Sequence, residues 1–190
     1  MTKDAVIVVS GLPRSGTSMM MKMLEAGGLA VMTDNIRTAD DDNPKGYYEF
    51  EVVKELENNK EWLKDAPGKV VKIISQLLKQ LPSDHNFKIV FMRRKMEEIL
   101  ASQKQMLIRR GEPTDTIPDE KMAKIFETHI FQVETWLSKQ PNMEVLFVHY
   151  TDATENPAPV IEKINQFLGG KMNVNKMAAV VDKSLHRQRA

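Results

Sequence analysis

Eight residues near the N-terminus, Gly11-Leu-Pro-Arg-Ser-Gly-Thr-Ser18, combine two glycines, one arginine and three hydroxyl side chains. Glycines relax the steric limits on the backbone, so successive amides can turn inward around an anion. Arg14 adds a permanent charge with a planar, bidentate fork, and Ser15, Thr17 and Ser18 add hydroxyl donors. The run just before, Ala5 to Ser10 (AVIVVS), is β-branched and apolar without polar alternation, the pattern of a strand buried on both faces. Ser18 to Ala26 after it carries good helix formers and stops at Gly27-Gly28. A helix starting there aims its unpaired N–H groups and its positive dipole end at the same spot. Strand, glycine loop and helix together make a phosphate cradle.

The glycine spacing nearly matches the G-x-x-x-x-G-K-[ST] pattern of nucleotide-triphosphate sites, but Thr17 stands where the lysine should be. A kinase built on this loop would lack its main contact to the β- and γ-phosphates.

Further elements must hold the cradle. Val70 to Ile74, Lys88 to Met92 and Glu144 to His149 read as buried strands. Helical patterning covers Glu49 to Leu63, Lys95 to Arg110, Glu120 to Lys139 and Pro157 to Leu168. The stretch from Asn175 to Arg189 is helical or frayed and turns basic at Lys183, His186, Arg187 and Arg189. Asp34 to Gly46 and Gly111 to Pro118 are polar, proline-containing loops. Strands alternating with helices imply an α/β domain, a parallel sheet covered on both faces, with ligands bound outside the carboxyl ends of its strands.

Composition removes several function classes. The formal net charge is +1, with no basic excess of the kind a nucleic-acid binder displays. Without cysteine there is no disulfide scaffold, Cys-ligated zinc, iron–sulfur cluster or thiol catalysis. No apolar run has the length of a membrane span, and the N-terminus is too polar and short for a signal peptide. The expectation is one soluble, cytoplasmic domain over residues 1–190. The 13 methionines fall largely at helical spacing and read as adaptable core filler.

The strand followed by Pro13-Arg-Ser-Gly-Thr-Ser18 resembles the phosphosulfate loop of sulfotransferases that use 3′-phosphoadenosine 5′-phosphosulfate (PAPS). By that resemblance Arg14, with Ser15, Gly16, Thr17 and Ser18, holds the sulfuryl group and the 5′-phosphate. Three further segments share the likeness. Arg94, at a strand end, and Ser102, about two turns up the next helix, have the spacing of the family's 3′-phosphate site, with Arg93 the weaker member of the Arg pair. In the segment from Val145 to Gly169, Tyr150 matches a tyrosine that approaches the adenine. Asn43 to Phe50 is similar to the NPxGYxE segment of bacterial members. The four patches run in the family's order from position 5 to 169.

The chain also departs from the family. Met19 replaces a tryptophan that stacks on adenine in cytosolic animal enzymes. Ile74 falls where those enzymes keep a catalytic histidine, and His85, His129, His149 and His186 lie elsewhere and read as surface or packing residues. The late Arg-Lys-Gly motif is absent. The basic tail could stand in for it, although a solvated helix end explains that composition as well.

The resemblance implies a three-layer, P-loop-NTPase-like fold and transfer of a sulfuryl group from PAPS to a hydroxyl. Adenosine 3′,5′-bisphosphate (PAP) would be the product and no metal would be needed. Arg14 and Lys72 would serve the transferring group. With no histidine in place the base should be a carboxylate, Glu49 first and Glu51 behind it, unless Glu49 only serves a helix N-terminus. The implied partner is a small-molecule or glycan acceptor, framed by the 34–43 and 111–118 loops, without nucleic acid or a membrane span. Two other readings remain at this point: a P-loop kinase for a nucleotide or small metabolite, and a nucleotide-binding scaffold without catalysis.

Overall fold

Alternation along the central strands sets two cores, one on each face of a sheet. In the computed structural model, which describes residues 4–34, 36, 46–114 and 116–182, the strands are β1 (Ala5–Gly11), β2 (Val31–Met32), β3 (Val70–Lys72), β4 (Asn86–Arg93) and β5 (Met143–His149). They form one sheet in the order β2-β3-β1-β4-β5, with every pairing parallel. Val6, Val8, Val71, Phe87, Ile89 and Phe91 enter one core; Ile7, Val9, Val70, Val90 and Met92 enter the other. Burial on both faces is why these strands read as continuous apolar runs.

The helices are α1 (Thr17–Ala26), α2 (Met96–Arg110), α3 (Asp119–Leu137), α4 (Tyr150–Glu155), α5 (Pro157–Phe167) and α6 (Val174–Val180). Residues of α1, α4, α5 and α6 fill one core, and α3 packs into the other with three 3₁₀ segments, Glu51–Glu55, Glu61–Asp65 and Ser75–Gln80. The chain thus leaves β1 toward one face and, through α3, covers the other after β4. Adjacent parallel strands whose connections diverge in this way open a crevice between their carboxyl ends. Register puts Gly11 beside Met92 and Val9 beside Lys72, so the ends of β3 and β4 flank the β1 loop.

The parallel sheet and its flanking helices agree with the expected fold. Three local readings change. The single helix expected over Glu49 to Leu63 is two 3₁₀ segments. Between them Asn58 and Asn59 turn back on the Glu55 carbonyl, and Asn59 Oδ1 accepts the Glu61 amide at 3.2 Å. Asparagine offers the backbone this local alternative to a helix. Second, β2 is only two residues long, too short for periodicity to register. Third, a short helix absent from the sequence reading, α4, follows β5 directly and opens at Tyr150. Asn156 at φ −133° then separates α4 from α5, whose first residue is Pro157.

The methionines do fill core: Met20, Met21, Met23, Met92 and Met177 are buried. No helix among the described residues is long and apolar enough to cross a membrane. The basic positions 183–189 lie outside the described residues.

His129 on α3 meets the buried Ser75 at 2.9 Å, a packing role across the α3 face. Burial, and then the nearby Lys79 charge, push its pKa below the ordinary value. Between that lowered value and about 6.5 the unfolded chain binds the proton more readily than the folded one, so stability rises with pH there and falls as pH drops. The His129→Gln variant retains a hydrogen-bonding side chain and cannot titrate. Urea midpoints on either side of that window should differ less for the variant than for the wild type.

Candidate functional site at the β1 and β4 strand ends

Gly16 takes φ 97° and caps α1 without any side-chain hydrogen bond to the first turn. The first amides of a helix have no partner inside it, so this turn presents N–H groups to the crevice. The glycine is also sterically required, since a Cβ there would lie 2.4 Å from Cδ2 of Tyr150. Gly11 is held as closely, because its Cβ would meet Ser15 Oγ at 2.5 Å. Ser15 is buried and its hydroxyl donates to the Leu12 carbonyl at 2.7 Å, as its amide also does at 3.2 Å. Ser15 therefore closes the turn with both its hydroxyl and its amide. Thr17 is half-buried at the start of α1, and Ser18 Oγ donates to the Tyr47 carbonyl at 3.2 Å.

Arg14 adopts φ 70°, a left-handed conformation that costs a side-chain-bearing residue about 1–2 kcal/mol. Two contacts offset it. The Arg14 carbonyl accepts from Arg94 Nη1 at 3.0 Å, and Arg14 Nε donates to Ser102 Oγ at 3.0 Å. Arg94 in turn donates through Nε to Glu98 Oε2 at 2.7 Å, and its guanidinium lies 4.3 Å over the Tyr150 ring. Arg14, Arg94, Ser102 and Tyr150 thus form one cluster beside the uncapped end of α1. Arg93 points away, forked onto Glu134 at 2.6 and 2.9 Å and stacked on Phe147.

On the other side of the β1 loop, Lys72 ends β3. Its ammonium donates to the Tyr47 carbonyl and lies 3.8 Å from Glu49 Oε1. Both side chains are largely shielded, Lys72 at 10% and Glu49 at 22% exposure. The Glu49 carbonyl accepts from Thr33 Oγ1 at 2.9 Å and from the Asp34 amide at 3.3 Å. Asp34 accepts the Glu51 amide and then the Ile36 amide, which together hold its carboxyl below the usual range. Glu51 itself reaches Lys54 at 2.7 Å on the surface, so it does not join the Lys72 cluster. Between Tyr47 and Glu49, Tyr48 has φ 53° and its phenol donates to Glu25 Oε2 at 2.6 Å. Burial first, and then Glu25, push that phenol well above its ordinary pKa.

The structure brings Arg14, Arg94, Ser102 and Tyr150 together, and likewise Lys72, Glu49 and, through the Tyr47 carbonyl, Ser18. Ile74, in the place of the family histidine, is 37% exposed. Of Asn43 to Phe50, residues 43–45 lie outside the described residues. Sequence reasoning missed Glu98, although its i,i+4 spacing from Arg94 was a signal. It also missed the Tyr47 carbonyl as a hub and the Tyr48–Glu25 pair, which no spacing announces.

A sulfotransferase-domain family model matches residues 4–188, nearly the whole chain. The chain belongs to this sulfotransferase family. Solved structures share its fold at low identity. Mouse sulfotransferase SULT7A1, complexed with PAP, is 19% identical with a TM-score of 0.62, covering 98% of this chain and 68% of that one. The sulfotransferase domain of the Synechococcus PCC 7002 olefin synthase is 14% identical with a TM-score of 0.57, covering 100% and 89%. The sulfotransferase domain from the curacin biosynthetic pathway is 13% identical with a TM-score of 0.55, covering 96% and 89%. No curated protein matches the sequence significantly.

In this sulfotransferase the buried Arg94–Glu98 pair is 7% and 2% exposed. Removing one member of such a pair strands a buried charge. Glu98→Ala should lower stability by about 3 kcal/mol or more in urea titrations. PAP should restore more stability to the variant than it adds to the wild type, because an anion beside Arg94 replaces the lost carboxylate.

Proposed function

We propose that this sulfotransferase moves a sulfuryl group from PAPS to a hydroxyl of a small-molecule or glycan acceptor, with PAP as the second product. The observation that carries the reading is the convergence of Arg14, Arg94 and Ser102 beside the uncapped first turn of α1. The crevice then offers two anion sites, one at the helix end and one at the Arg94–Ser102 cluster. A nucleotide with phosphate on both its 5′ and 3′ positions fits two sites; a triphosphate kinase with Thr17 in place of the loop lysine does not use the second.

In the proposed arrangement the first-turn amides of α1 and the Thr17 hydroxyl take the 5′-phosphate side. Arg94 and Ser102 take the 3′-phosphate. Arg14 leaves the loop and lands on Ser102, so its charge adds to the 3′ side as well as adjoining the loop. Tyr150, packed against Gly16 and under Arg94, forms the wall that an adenine would meet.

Transfer requires the acceptor oxygen to attack sulfur in line with the bond that breaks to the 5′-phosphate. Charge grows on that leaving oxygen, where helix amides and cationic side chains stabilise it by roughly 3 kcal/mol per well-aimed donor. Lys72 supplies the ammonium on the β3 side. Glu49 is assigned as the base that takes the acceptor proton, since it is the carboxylate held beside Lys72. A positioned base contributes about 10²–10⁴-fold.

Three measurements test the proposal. PAP without magnesium should raise the melting temperature by binding the native state, and magnesium-ATP should do far less; the reverse would favour a kinase. Arg94→Ala should cost roughly 2–3 kcal/mol of PAP affinity and Ser102→Ala about 1 kcal/mol. Toward a nucleotide lacking the 3′-phosphate the Ser102→Ala loss should nearly vanish, and the Arg94→Ala loss should shrink to what its hold on the Arg14 carbonyl contributes. Equal losses with and without the 3′-phosphate would move these residues out of the 3′ site. With labelled PAPS and a panel of hydroxyl acceptors, Glu49→Gln should lower turnover about 100-fold or more with nucleotide affinity intact. Full turnover would place the base elsewhere.

A further inference from the structure

The Glu49 carboxylate does not come from the strand that supplies Lys72. It hangs from residues 46–50, a stretch without helix or strand that crosses the crevice. A side chain on such a segment stays within reach of a reacting atom only if its backbone is fixed from outside, and the structure shows how. Tyr47 and Glu49 are both tied inward. The Tyr47 carbonyl accepts from Lys72 and Ser18, and the Glu49 carbonyl accepts from Thr33 and Asp34. Tyr48, between them, is tied the other way.

At φ 53°, Tyr48 occupies a conformation that residues bearing a Cβ rarely adopt and that persists only where the surroundings enforce it. Its side chain is held by the 2.6 Å hydrogen bond from its phenol to Glu25, in the last turn of α1, and by packing against the core that α1 fills. Glu25 is itself poorly placed for a helix, since a carboxylate near the C-terminus opposes the dipole. Neither oddity has a use of its own, and each accounts for the other. Glu25 gives the strained residue an anchor on the same helix whose first turn faces the crevice. In the NPxGYxE pattern that Asn43 to Glu49 resembles, Tyr48 falls on the unspecified position, so the resemblance assigns it no role.

We propose that Tyr48, anchored by Glu25, is a positioning residue that holds the Glu49 carboxylate and the Tyr47 carbonyl against Lys72. The proposal rests on the reading of Glu49 as base and deepens it. The tether runs from the C-terminal turn of α1 to the base, while the N-terminal turn of α1 holds the nucleotide. One helix thereby fixes the distance between base and transferring group.

The test uses the full chain with labelled PAPS and water as acceptor, so that no acceptor need be known. Sulfate release follows kcat and KM for PAPS, and amide hydrogen exchange follows Asp34, whose N–H reports on the Glu49 carbonyl. Tyr48→Phe keeps the ring and deletes the hydroxyl. It should lower kcat about tenfold, in line with the cost of small displacements of reacting groups, with KM within about twofold and faster exchange at Asp34. Glu25→Ala should match it, the double variant should be no worse than either single one, and Glu25→Gln, which keeps an acceptor for the phenol, should recover most of the rate. A residue that only stabilised the fold would move the melting temperature without this split between kcat and KM. Unchanged kcat in Tyr48→Phe beside a slow Glu49→Gln would overturn the tether and leave the base assignment standing. A Glu49→Gln as fast as wild type would overturn the base assignment and the tether with it. Where hydrolysis by water is too slow to follow, unchanged exchange at Asp34 in Tyr48→Phe overturns the proposal, and faster exchange there supports it.

Discussion

The Arg94 guanidinium is where the proposed nucleotide half of the site is assembled. It leaves the end of β4, is neutralised by Glu98 in the first turn of α2, lies over the Tyr150 ring at the start of α4, and donates to the Arg14 carbonyl in the β1 loop. Each of these contacts fixes something else. The Arg14 carbonyl can accept only while that residue stays left-handed, and in that state the Arg14 side chain reaches Ser102. Tyr150 is held so tightly under the guanidinium that only glycine fits at position 16, and Gly16 is the residue that starts α1. The backbone of the anion loop is thus set by a side chain from a neighbouring strand. Glu98 is not an incidental partner, because a buried guanidinium needs a counter-charge before any ligand arrives.

The same economy holds around Lys72, where Glu49 and the Tyr47 carbonyl already occupy the ammonium. The chain has a formal net charge of only +1, and Arg94 and Lys72 are each countered by a carboxylate of the protein. Binding an anionic nucleotide is then an exchange of partners more than a capture by bare charge. Affinity in such a site depends on how well ligand oxygens match donors that are already oriented, because preorganisation has been supplied by the fold.

Much of this was legible in the residues. The β1 loop announced itself because glycine, hydroxyls and arginine between an apolar run and a helix have few other uses. Arg94 and Ser102, by contrast, stood out only through the family resemblance, since an arginine at a strand end and a serine on the next helix are unremarkable alone. The sheet was visible because strands buried on both faces leave uninterrupted apolar runs. What escaped was decided by backbone atoms and by tertiary geometry. That the Ser15 hydroxyl closes its own turn on Leu12 is not written in its residue type. The segment from Glu49 to Leu63 has helical periodicity, yet Asn58 and Asn59 divide it. No pattern of side chains could reveal that the Tyr47 carbonyl is shared by Lys72 and Ser18, since a carbonyl has the same sequence signature at every position.

The absence of a histidine at Ile74 has a geometric consequence. A base two residues beyond Lys72 would ride on the same short stretch of chain as the ammonium, and β3 would position both. With Ile74 exposed there and Glu49 held beside Lys72 from a different segment, the proposed base and its cation come from separate parts of the fold. Their 3.8 Å spacing is then a tertiary quantity, maintained by carbonyl contacts that also include the first turn of α1 through Ser18. A shift of α1 reaches the nucleotide loop at one end and the 46–50 segment at both, through Ser18 and through Glu25. The proposed reaction needs the acceptor oxygen, sulfur and leaving oxygen in line. Tying the segment of the proposed base to the helix whose first turn faces the proposed leaving group makes their alignment depend on one rigid element.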